Sequence, residues 1–119
     1  MTAVNSGTDL IPSAHCDGDA MMASLCGEID LHNSSELRDA MFGVLLKHSP
    51  KKLVLDMAQV PYMDSSALAV LVEGLRNLQR VGGRIFLLNL QSRVRGLLEI
   101  ARLTNVFMLV KDEQEALAR

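Results

Sequence analysis

Tryptophan is absent from this 119-residue chain, and one tyrosine with three phenylalanines leaves aromatics at 3%. Single-stranded nucleic acids and sugars are gripped by flat rings, so few stacking platforms speak against both as ligands. Charge of one sign is also scarce: 12 Lys and Arg face 14 Asp and Glu, for a net charge of -2 with no dense block. The basic stripe of a duplex-DNA binder is missing, and no nucleic-acid partner is expected. The only two cysteines, Cys16 and Cys26, lie outside any repeated spacing or ligand set. They are expected as reduced, half-buried thiols. No apolar run approaches the ~18 residues that span a bilayer, so direct membrane insertion is not expected. Residues 1–7 lack the basic region and apolar stretch of a signal peptide, which points to the cytoplasm.

What is present is aliphatic. Hydrophobic residues make up 49% of the chain, enough for one core in one domain of this length. Residues 1 to 9 are small, polar and without period, and predict a flexible tail ahead of a domain over 10 to 119. Apolar stretches around Leu10 to Cys16 and Ala20 to Cys26 flank Asp17-Gly18, a favoured turn dipeptide, and predict an N-terminal β-hairpin. After Gly27-Glu28-Ile29-Asp30, Asn33 and Glu36 stand at capping-box spacing. Leu37, Ala40, Met41, Val44 and Leu45 then mark one helical face, ended by His48-Ser49-Pro50. Leu53-Val54-Leu55 reads as a strand covered on both sides.

A second helix is predicted from about Ser66 to Val81, with Leu68, Leu71, Val72, Leu75 and Leu78 inward and Gly82-Gly83 as its stop. Ile85 to Leu90 reads as a buried strand. Ser92 opens a third helix carrying Val94, Leu97, Leu98 and Ala101. Val106 to Val110 reads as a last strand, and Asp112 with Glu115 caps a short terminal helix. Strands alternating with helices imply an α/β fold with a mixed sheet.

Catalytic constellations are not evident. His15, His32 and His48 are dispersed without metal-ligand spacing. No Gly-x-Ser-x-Gly elbow occurs, and Gly82-Gly83 closes a helix where a phosphate loop would open one. No cofactor or metal is expected, and an enzyme is not. Arg76, Arg80 and Arg84, followed by Arg93, Arg95 and Arg102, suit either an acidic partner or, as the simpler reading, a solvated face.

Tyr62-Met63-Asp64-Ser65-Ser66-Ala67 stands out. Three polar residues sit between two apolar segments at a strand-to-helix junction, where one polar residue suffices as a cap. Loops after strands form the usual binding edge of an α/β sheet. Phosphate added there would meet the positive end of a helix dipole and bring about -1.5 to -2 charges beside Asp64. A partner packing on this edge would then face an unpaired charge, which makes Ser65 a candidate binding switch.

These residues resemble a known family. Leu53-Val54-Leu55-Asp56, Val60 to Leu68, Arg80 to Arg84, Gly27 to Asp30 and Leu97 to Leu103 are together similar to the STAS domain, especially bacterial anti-sigma factor antagonists. The likeness spans roughly residues 24 to 117. It implies a mixed sheet with helices packed mainly on one side. It also implies a partner: an anti-sigma factor that is a serine kinase, bound by the unphosphorylated form and released by phosphorylation at Ser65, with a phosphatase restoring the first state. ATP and Mg²⁺ would belong to the kinase. Carried over position by position, Asp64 flanks the acceptor, Asp30 lies near it, Ser66 caps or packs at the helix start, and Ala67 replaces the family's usual glycine where a partner's backbone would approach. Asp30, Asp64, Ser65, Ser66 and Ala67 are thus the expected partner-binding set, with Ser66 left open as an alternative acceptor. Stand-alone STAS domains also resemble non-catalytic subunits of lipid-transport ATP-binding-cassette systems, so a transporter permease or ATPase is the alternative partner.

Overall fold

In the computed structural model, which describes residues 2–119, the chain opens with a short strand, β1 (Thr2–Ala3), antiparallel to β2 (Ser13–Asp17). The sequence predicts a flexible tail over residues 1 to 9, of which Met1 lies outside the described residues. Thr2 instead stands opposite Cys16 and Ala3 opposite His15, and the Val4 N–H continues to the Ala14 carbonyl at 2.8 Å. The free edge of β2 offers backbone partners to any extended segment, so this pairing leaves no side-chain period. Farther on, the Ser6 hydroxyl donates to the Ile11 carbonyl at 2.8 Å, and the Thr8 hydroxyl donates to Glu36.

The expected hairpin follows. β2 pairs antiparallel with β3 (Ala20–Cys26), with Asp17 opposite Ala20 across a two-residue loop. Gly18 takes the first loop position at φ 63°, a conformation that glycine adopts without steric cost. β4 (Lys52–Gln59), β5 (Arg84–Leu88) and β6 (Met108–Leu109) then add in parallel, giving one sheet of order β1-β2-β3-β4-β5-β6. β6 is shorter than its apolar run suggests, because Phe107 turns wholly into the core while Val106 stays exposed.

Three helices cross over between parallel strands: α1 (Ser34–His48), α2 (Ser65–Gln79) and α3 (Ser92–Ile100). Their inward side chains, among them Leu37, Met41, Leu71, Leu75 and Leu98, meet Met21, Leu53, Leu55, Ile85 and Leu87 in one large core. Val54 and Phe86, alternating with these along β4 and β5, point to the opposite face. There Met22, Leu88 and Ala116 of the short α4 (Glu113–Ala118) form a smaller cluster. The run Leu53-Val54-Leu55 is apolar throughout because each face of the sheet has its own cover.

Two local expectations are corrected. Asn33 precedes α1 but makes no side-chain cap. Its amide turns backward, accepting from the Asp30 N–H and donating to the Glu28 carbonyl, both at 2.9 Å. A short amide can bond either neighbouring turn, and here the preceding loop captures it. At the far end α2 stops at Gln79, not Val81. Gly82 (φ 75°) reverses the chain, and the Gly83 N–H returns to the Leu78 carbonyl at 2.7 Å. The capping at Asp112 stands as expected, its carboxylate accepting from the Glu115 N–H at 2.8 Å. Cys16 and Cys26 are free and partly buried. Among the described residues, no helix is long and apolar enough to cross a membrane.

Candidate functional site

β3 and β4 continue to run together past their regular ladder. Ile29 bridges Met63 in parallel, with the Ile29 N–H on the Tyr62 carbonyl and the Asp64 N–H on the Ile29 carbonyl, both at 3.1 Å. Ile29 and Met63 are buried and pin the pair to the core. The chain therefore leaves the carboxyl ends of these strands through two loops that start side by side, one at Asp30 and one at Asp64. This is the edge where α/β sheets hold their ligands.

Asp64 is the N-cap of α2 and makes more bonds than a cap requires. Its Oδ1 accepts from the Ser66 N–H (2.9 Å), the Ala67 N–H (3.2 Å) and the Ser66 hydroxyl (2.5 Å), while its Oδ2 accepts from the Leu31 N–H at 3.1 Å. One carboxylate thus closes the first turn of α2 and ties it to the Asp30 loop. These donors hold the Asp64 carboxyl below the usual carboxylate range, the Ser66 hydroxyl foremost, against the opposing effect of desolvation.

Ser65 is the first residue of the helix. It is exposed, and its hydroxyl makes no hydrogen bond among the described residues. Ser66 differs: it is half-buried and its hydroxyl is spent on Asp64. The expectation that Ser66 caps the helix is thus refined, since Asp64 caps and Ser66 reinforces the cap. Ala67 is corrected outright. It is 0% exposed and sits on the stripe of Leu71, Leu75 and Leu78, so its methyl faces the core and no partner can touch it. The glycine position of the motif is a packing position in this chain.

Asp30 is brought next to the junction as expected, through the bond between its neighbour Leu31 and Asp64. Its own carboxylate accepts from the His32 N–H at 2.9 Å, with the His32 ring 3.5 Å away. Leu31 itself went unnoticed in the sequence: it is 75% exposed beside the junction. The signal was an apolar residue directly after a loop aspartate, too common to stand out. Ser65 also lines a shallow groove of about 410 Å³ that includes Leu68, Val72, Glu73 and Arg76 of α2 together with Leu103. Arg93, from the first turn of α3, lies 4.9 Å over the Tyr62 ring and steadies the loop leading to Asp64.

The architecture is that of an α/β domain presenting an uncommitted serine at the start of a helix. The chain belongs to the STAS domain family, whose model matches residues 12–116. It is 28% identical over 99 residues to the anti-sigma-B factor antagonist of Listeria monocytogenes, a match covering 83% of this chain and 86% of that one. An anti-sigma factor antagonist from Mycobacterium paratuberculosis shares the fold at a TM-score of 0.77, with 24% identity over 88% of both chains. So does the Bacillus cell fate determinant SpoIIAA, solved in a phosphorylated form: TM-score 0.68, 23% identity, 89% of this chain and 96% of that one. A sulfate transporter family protein from Wolinella succinogenes gives a TM-score of 0.70 at 20% identity, over 87% and 86% of the two chains. Its curated relatives thus include anti-sigma factor antagonists, and the fold is shared with transporter proteins.

Proposed function

We propose that this chain is an anti-sigma factor antagonist that binds an anti-sigma serine kinase while unphosphorylated and is switched off by phosphorylation at Ser65. The observation that carries this reading is a division of labour at the start of α2. Asp64 and Ser66 do the structural work of the cap, which leaves the exposed Ser65 hydroxyl free to be modified.

The same bonds explain why phosphate would act as a veto. The N–H groups of Ser66 and Ala67 are taken by Asp64, and the Leu68 N–H bonds the Asp64 carbonyl at 3.1 Å. A phosphate on Ser65 would gain from the helix dipole but would find these donors already engaged. It would stay hydrated at the surface, at little cost to the fold. A docking partner would have to strip that hydration. Stranding a charge in an interface costs about 2 to 5 kcal/mol, or roughly 30-fold or more in affinity. The protein itself contributes no catalysis: ATP and Mg²⁺ belong to the kinase, and a phosphatase resets the switch. It works in the cytoplasm, with the sigma factor's regulators.

The test is to incubate the protein with ATP and the anti-sigma kinase encoded nearest its gene, then map the phosphate by mass spectrometry. Modification confined to Ser65 is expected. Phosphate on Ser66, or none, would remove the proposal. The fold shared with a transporter protein supports a second reading, a non-catalytic subunit docked on a permease or ATPase, including those of lipid-transport ATP-binding-cassette systems. Co-purification with such a permease, with Ser65 unmodified, would decide for it.

A further inference from the structure

Exposed aliphatic side chains are common on protein surfaces and ordinary when scattered. Two of the largest in this chain are gathered at one place. Leu46, 83% exposed on α1, and Val81, 51% exposed just past α2, both line a single groove of about 330 Å³. So do the buried Leu45, Pro50 and Leu78 and the half-buried Phe42. The groove is thus built from the C-terminal halves of α1 and α2 and the loop after α1, whereas Ser65 opens α2 at its other end. Its volume lies at the lower end for small-molecule sites. At the ~30 Å³ that a water takes in the liquid, it has room for about 11 non-hydrogen atoms.

The polar part of the lining is Ser49, Lys51 and Asn77, and Lys51 is its one charged residue. The Lys51 ammonium donates to the Val81 carbonyl, which holds it at the groove, and it makes no ion pair among the described residues. Two of its N–H donors remain for a ligand. Ser49 ends α1 at φ 44°, a left-handed conformation that glycine or asparagine adopts with less strain. Serine brings a hydroxyl there, and that hydroxyl makes no hydrogen bond among the described residues. The nearest opposite charges on the two helices are spent on each other: Arg38, 5.2 Å over the Phe42 ring, pairs with Glu73 at 2.8 Å.

Helix C-termini ordinarily disfavour anions. Four carbonyls at these two ends are already engaged, Leu45 by the Ser49 N–H (2.9 Å), Leu78 by the Gly83 N–H (2.7 Å), Gln79 by the Gly82 N–H (3.1 Å) and Val81 by Lys51. A lone ammonium beside a hydroxyl suits one negative charge, since phosphate is held by more donors or by a helix N-terminus. A second copy packed through this face would bring its own Lys51, with no carboxylate in either lining to answer the two cations. We propose that the groove is a binding site for a small monocarboxylate with an apolar body, whose chain lies on Leu45, Pro50 and Leu78 and whose carboxylate pairs with Lys51. This site is separate from Ser65 and does not depend on the function proposed above.

The test titrates sodium decanoate, kept below its micelle-forming concentration, into the full chain and follows the backbone amides by NMR. Saturable shifts are expected at Phe42, Leu46, Lys51, Asn77 and Val81, with Ser65 unmoved. Decan-1-ol, the same chain without the charge, should bind ~10-fold more weakly, as expected for loss of a hydrogen bond to a charged group. Lys51→Met should lower decanoate to the level of decanol and leave decanol as it was. Leu46→Asp, at an exposed position where substitution leaves the fold intact, should weaken both. Equal affinity for decanoate and decanol in the wild type would overturn the inference whatever the variants do, and so would the lack of any saturable shift. A groove that responds only to phosphatidylglycerol vesicles, or only to rising protein concentration, would also overturn it and assign the face to a bilayer or to a second copy. None of these results bears on phosphorylation at Ser65.

Discussion

Replacing Ser65 by alanine should leave the fold almost untouched. The side chain is exposed at the first helical position, and its hydroxyl has no partner among the described residues. Nothing is lost but a solvated hydroxyl, and surface substitutions of that kind stay within about 0.5 kcal/mol. For a domain of this size that amounts to roughly 3 °C or less in melting temperature. Ser65→Asp should behave similarly. A carboxylate in the first turn gains about 0.3 to 1 kcal/mol from the helix dipole, and repulsion from Asp64 offsets part of it. A hydroxyl with a structural job would give another result, since leaving a buried partner unpaired costs about 1 to 3 kcal/mol. Thermal unfolding followed by circular dichroism separates the cases at once. A fall of ~8 °C or more in Ser65→Ala would show that the hydroxyl holds the junction together, and a residue the fold needs cannot be a freely modified switch.

Other perturbations test the frame around the switch. Ser66→Ala removes the leading cause of the depressed Asp64 pKa, so an NMR titration should show that carboxyl moving back up toward its ordinary value. Asp64 and Glu73, the latter bonded to Arg38 across α1 and α2, both titrate below their ordinary values. Depressed carboxylates stabilise the fold above their unfolded pKa and lose that effect as pH falls through the folded one. Melting temperature should therefore be flat from pH 8 to pH 5 and decline below about pH 4. Gly83→Ala would place a methyl 2.9 Å from the Lys51 carbonyl and 3.1 Å from the Leu78 carbonyl, backbone atoms that cannot move aside. A loss of about 1 to 3 kcal/mol in denaturant unfolding is expected, with phosphorylation unaffected at the other end of α2, a helix about 22 Å long.

Much of this architecture was legible because aliphatic pattern and turn chemistry agree. The hairpin at Gly18, the doubly covered strand at Leu53-Val54-Leu55 and the glycine stop after α2 each follow from local rules. What escaped depended on tertiary context. β1 forms because an edge offers backbone partners to a segment with no pattern of its own. Asn33 could serve the helix ahead or the loop behind, and only the folded loop decides. Ala67 is a different failure, since the information was there. It stands four and eight residues before Leu71 and Leu75, and its helical phase already placed it inside, but the family resemblance set it where a partner's backbone would approach. At the site, the Asp64-Ser65 junction was visible as an excess of polar residues between apolar segments. The link from Asp64 to Leu31 was not, because it spans 33 residues and depends on β3 and β4 leaving the sheet together.

Calorimetry with the kinase and the two forms of this protein, unmodified and phosphorylated at Ser65, puts the switch to its most direct trial. Tight binding by the unmodified form is expected, weakened by roughly 30-fold or more in the phosphorylated one, with equal melting temperatures for both. Equal affinities for the two forms would contradict it.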